Sequence, residues 1–85
     1  MKDLRQILNE NDYDYVQTYM VGQDPGTKAI RGYVIGASRQ MNTYTVWSTF
    51  DWTMAGPKDR RRGIDVQHGH YGIKSLAEAQ QCVAM

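Results

Sequence analysis

In the stretch KDLRQILNEN, residues 2–11, apolar side chains fall at Leu4, Ile7 and Leu8. That i, i+3, i+4 spacing lays one apolar stripe along a helix. Asp3, followed three residues later by Gln6, supplies a capping pair, and Asn9, Asn11 and Asp12 supply helix-stopping chemistry. The period then changes. Residues 13–21, YDYVQTYMV, are rich in aromatic and β-branched side chains, with Val16 and Met20 on one parity and Tyr13, Tyr15, Tyr19 and Val21 on the other. This composition predicts a strand.

In the following GQDPGTKA, Pro25 presets one corner and Gly26 is suited to a positive φ at the next, so Asp24 to Thr27 reads as a type II turn. A second strand follows in IRGYVIGA, residues 30–37, where Gly32 and Gly36 share the parity of Ile30 and Val34 and give room for a close neighbour. The clearest alternation is TYTVWSTFDW, residues 43–52. Tyr44, Val46, Phe50 and Trp52 share one face, while Trp47 stands among Thr43, Thr45 and Thr49 on the other. Gly56 and Pro57 interrupt the pattern, and RGIDVQH, residues 62–68, resumes it as a fourth strand, with GHYG as a link. In IKSLAEAQQCVAM, Ser75 and Glu78 match a capping box ahead of the apolar stripe Leu76, Ala79, Cys82 and Val83. These elements predict one α+β domain over residues 1–85, a four-stranded antiparallel meander flanked by an N-terminal and a C-terminal helix in the order α-β-β-β-β-α.

The chain has 85 residues, 41% of them hydrophobic and 22% charged, which places it with folded rather than disordered sequences. One cysteine, Cys82, excludes an internal disulfide and points to a reducing, cytoplasmic setting. No apolar run approaches a membrane span or the core of a signal peptide, so a soluble protein is expected. Net charge is +1, but its distribution is bipolar. Residues 1–27 carry two basic against five acidic side chains, and residues 28–62 carry seven basic against two acidic. Such a chain can pair with a charged partner or a second copy, which leaves a homodimer as an option.

No glycine-rich phosphate loop, metal-type cysteine pair or nucleophile elbow is present. His68 and His70 would share a strand side and make half a zinc shell, with no third ligand at a telling spacing. Cys82 lies on a helix's apolar stripe, where a small buried side chain is the ordinary reading, and Asp12, Asp14 and Asp24 flank turns. The expectation is therefore a non-enzymatic protein with no metal and no cofactor.

The remaining features are the loop PKDRRR and the rings. Lys58, Arg60, Arg61 and Arg62 concentrate charge in five positions, and guanidinium groups pair bidentately with carboxylate or phosphate. If both helices pack on one side of the sheet, against Val16, Met20, Val34, Phe50 and Trp52, the opposite side presents Tyr13, Tyr15, Tyr19, Arg31, Tyr33 and Trp47; if the helices take opposite faces, or two copies pack sheet to sheet, these rings are core instead. In element order alone the chain resembles double-stranded RNA-binding domains and the arm-type DNA-binding modules of recombinases, a likeness that assigns no family. The expected function is docking on a macromolecular partner and action by occlusion, in the manner of an accessory or inhibitor protein of a phage or mobile element. A protein is the first partner expected, through Lys58, Arg60, Arg61, Arg62, Trp47, Tyr33, Arg31 and Tyr19; nucleic acid on the same loop and an aromatic sheet face is the alternative.

Overall fold

The computed structural model describes residues 2–84, the side chains of His68 and Ala84 excepted. Helix α1, Leu4–Glu10, opens on the Asp3 and Gln6 pair: the Gln6 N–H donates to Asp3 Oδ1 at 2.9 Å and the Asp3 N–H to Gln6 Oε1 at 3.1 Å. Seven residues are too few to hold a helix by propensity, so it depends on burial of Leu8. Strands β1 (Tyr13–Gln23), β2 (Ile30–Ser38), β3 (Tyr44–Asp51) and β4 (Ile64–Ile73) follow, and α2 (Leu76–Ala84) closes the chain with the Glu78 N–H donating to Ser75 Oγ at 3.2 Å. The strands lie in sequence order, each antiparallel to the next, giving the α+β meander that the pattern predicts.

Two local expectations change. Asp24 to Thr27 does not form a type II turn, because Gly26 keeps a negative φ; Lys28 takes the left-handed region at φ 69° and its N–H donates to the Asp24 carbonyl at 2.7 Å. Asp24 also accepts the Gly26 N–H at 2.9 Å, a side-chain bond that competes with the turn type preset by proline. The fourth strand does not stop at residue 68. It runs through the segment GHYG to Ile73, with Gly69 opposite Trp47. A Cβ at Gly69 would lie 1.6 Å from the Val46 carbonyl oxygen, so glycine is what lets β4 stay paired there.

The larger correction concerns the faces. The two helices cover opposite sides of the sheet. α1 packs Leu8 on Val34 and Trp47, with Leu4, Tyr13, Tyr15 and Val66 around them. α2 packs Ala79 on Ile35 and Val46, with Val16, Tyr19, Tyr33 and Tyr44 at the margin. Register decides this: Val34 stands opposite Trp47, not opposite a residue of the Phe50 face, so the threonine side of β3 is a core side and Thr45 and Thr49 are buried. Register shifts bracket Val16 and Val21, and the first moves Tyr13 and Tyr15 to the α1 side while Tyr19 goes to the α2 side.

Replacing Gly69 by alanine should cost more than about 3 kcal/mol in urea unfolding, because both clashing groups are backbone. Gly22→Ala, where an added Cβ meets nothing within 4 Å, should stay within about 1 kcal/mol of the wild type.

Candidate partner-binding surface

Phe50 ends the regular part of β3 on the α2 side, and Trp52 two residues later keeps the same side. Their rings stack at a centroid separation of 6.1 Å and an interplanar angle of 23°. Arg31 is the cross-strand partner of Phe50, and its guanidinium lies 5.9 Å from the Phe50 ring centroid. At the other end the Arg62 guanidinium lies 4.0 Å from the Trp52 centroid. Arg31, Phe50, Trp52 and Arg62 thus form a strip of two stacked rings with a guanidinium at each end, at the end of the sheet farthest from the α2 cluster.

The loop between β3 and β4 is folded back to build this strip. The Trp52 N–H donates to the Gly63 carbonyl at 2.8 Å, the Ala55 N–H to the Trp52 carbonyl at 2.9 Å, and Arg60 Nε to the Ala55 carbonyl at 3.1 Å. Ala55 is buried beneath it, and the 3₁₀ turn Arg60–Arg62 ends at Gly63 with φ 66°. Trp52 Nε1 donates to Asp65 Oδ2 at 2.9 Å, which fixes the indole on which Arg62 lies. The ion pair between Arg62 and Asp59 spans 3.9 Å between well-exposed side chains and contributes little. A cavity of about 250 Å³ beside the strip is lined by Arg31, Tyr33, Ser48, Phe50 and Gln67.

The residues singled out by sequence are divided between the two faces. Arg31, Tyr33, Tyr19 and Arg62 stand on the α2 side; Tyr19 and Tyr33 are cross-strand partners half-buried at the margin of the α2 cluster. Lys58, Arg60 and Arg61 are exposed on the loop at the same end of the sheet as Arg31. Trp47 is 8% exposed beneath α1 on the other face, out of reach of anything the loop touches. The expected open side carrying Tyr13, Tyr15, Tyr33 and Trp47 together does not exist in the monomer. Phe50 and Trp52 replace Trp47 as the rings beside the arginines. Their shared parity is visible in the sequence, but alternation alone assigns them to a core.

No group of three histidine, cysteine, aspartate or glutamate side chains among the described residues is placed to hold a metal ion. His70 is exposed opposite Val46, the side chain of His68 lies outside the described residues, and Cys82 packs against the α2 cluster. No described helix is long and apolar enough to cross a membrane. No protein-family model, curated protein or solved structure matches the chain.

Removing Arg62 as Arg62→Ala should cost less than about 1 kcal/mol, since a cation–π contact at an exposed site is weak. The same change should make Trp52 fluorescence more accessible to acrylamide and leave the quenching of Trp47, on the other face, as in the wild type, a difference collisional quenching reads directly.

Proposed function

We propose that this chain is a non-enzymatic binding protein that docks on an acidic surface of a protein partner and acts by occluding what it covers. The observation that carries the reading is the Arg62 guanidinium lying 4.0 Å from the centroid of Trp52, whose own N–H is tied to Asp65. A guanidinium held over a fixed ring gives up less freedom on pairing with a carboxylate than one on a mobile chain. Arg62 is about half exposed, so its N–H edge remains available. Tryptophan, tyrosine and arginine are also the side chains that dominate the energy of protein interfaces.

Nucleic acid is the competing partner, favoured by the exposed Lys58, Arg60 and Arg61. Two features weigh against it. Phe50 and Trp52 stack on each other and carry guanidinium groups, so ring faces that bases would stack on are already in use. Net charge is +1, unlike the basic domains that usually bind phosphate backbones. The single cysteine supports a reducing cytoplasmic setting.

Native capture of tagged wild type, and of the double variant Arg31→Glu with Arg62→Glu, tests the proposal. The wild type should retain a protein partner whose complex has the absorbance ratio of protein, and the double variant should lose at least about tenfold in affinity. Unchanged affinity of the double variant would reject the surface. Co-purified nucleic acid, released with a log–log salt slope of roughly −0.7 to −0.9 per phosphate contact, would replace the protein partner by its competitor.

A further inference from the structure

The α1 side of the sheet holds a second site, different in chemistry from the strip and meeting the cavity beside it at Gln67. α1 lies along β1, and the side of β3 and β4 that it leaves open forms a cleft of about 490 Å³ lined by Leu8, Tyr13, Trp47 and Tyr71, with Asn11 and Gln67 among its polar lining. This volume falls within the roughly 300–1,000 Å³ of small-molecule sites. Its walls are rings set at right angles. Tyr13 stands at 85° to Trp47 with centroids 4.8 Å apart, and Tyr71 stands at 89° with centroids 6.2 Å apart. Trp47 Nε1 donates to the Tyr71 hydroxyl at 3.2 Å and the Tyr13 hydroxyl accepts from Thr45 Oγ1 at 3.3 Å, so both tyrosines are tied in place.

Charge narrows what fits. Among the described residues no lysine, arginine, histidine, aspartate or glutamate belongs to the lining, so these side chains offer a phosphate or carboxylate no counter-ion and an ammonium group no carboxylate. The polar side chains that are not phenol or indole are two carboxamides. Asn11 Nδ2 donates to the Ile7 carbonyl at 2.7 Å, which holds the amide still and leaves its second N–H and its Oδ1 for another group. A carboxamide offers an adjacent donor and acceptor, the pattern that pairs with N6 and N7 of adenine. Rings supply stacking for a flat heteroaromatic. We infer that this cleft binds a small, uncharged, adenine-like heteroaromatic through Asn11 and the Tyr13, Trp47 and Tyr71 rings.

Titration of the full chain with adenosine, followed by the indole N–H resonance of Trp47, tests the inference; Trp52→Phe identifies which of the two indole signals is which. Adenosine should shift the Trp47 signal saturably, and adenosine monophosphate should bind no tighter than adenosine. Tetramethylammonium should leave the signal unmoved. Tyr71→Ala, which removes a ring that is 56% exposed, should weaken adenosine binding at least tenfold, and Asn11→Ala should weaken it about threefold or more if Tyr71→Ala fails to fold. Absence of a saturable shift with adenosine, tenfold tighter binding of the monophosphate, a shift by tetramethylammonium at lower concentration than adenosine, or unchanged binding in the folded variant would each overturn it. The Arg31 and Arg62 variant should bind adenosine as the wild type does, so failure here and failure of the docking surface are read separately.

Discussion

The arrangement depends on Trp47 lying against the backbone of β2 at Gly36. A Cβ at Gly36 would come within 2.8 Å of Trp47 Cζ3 and 2.9 Å of Leu8 Cδ2, so the missing side chain is the space that both occupy. Leu8, 2% exposed, closes over the indole from α1. Once Trp47 faces α1, every second residue of β3 follows. Thr45 and Thr49 go inward with it, and Phe50, with Trp52 beyond it, must take the other side, next to Arg31. One steric fact thus decides which rings are structural and which stand beside the arginines.

Helix length then decides how much of each face stays open. Helices of seven and nine residues are roughly 10 and 14 Å long at 1.5 Å per residue. Strands of 8 to 11 residues span roughly 26 to 36 Å. Neither helix can cover the sheet it lies on. On the α2 side the uncovered end holds the strip of rings and guanidinium groups; on the α1 side the uncovered edge is the cleft beside β4. Splitting the core into two thin layers, each anchored by very few fully buried side chains, is the cost of leaving both surfaces accessible in a chain of 85 residues.

The elements themselves were legible because each rests on chemistry local to a few residues. The capping pair of Asp3 and Gln6 and the alternation of residues 43–52 both act within one turn or one strand. What sequence could not supply was relative register. Val16 and Val21 carry no mark of a bulge, yet the shift at Val16 puts Tyr15 and Tyr19 on opposite sides of the sheet. Likewise the threonines around Trp47 read as a solvent face, when Thr45 is satisfied inside by the Tyr13 hydroxyl. Of the site, the loop arginines, Arg31 and Tyr33 were visible as residue types. Their grouping with Phe50 and Trp52 follows from cross-strand pairing, which no single segment records.

β3 contributes to both surfaces, Trp47 to the cleft and Phe50 to the strip, and this raises the question of coupling between them. A strand can transmit a change between its faces by sliding or by twisting. Sliding by one residue would exchange the faces outright and drive Trp47 off Gly36. It would also carry the Val46 carbonyl away from Gly69, the residue whose missing Cβ admits it. Twisting is resisted because β3 is internal, hydrogen-bonded to β2 on one side and β4 on the other. With both routes closed, β3 is a rigid divider, and the two cavities meet at Gln67 on β4. Each surface is free to carry its own chemistry, guanidinium groups beside rings in the strip and carboxamides beside rings in the cleft.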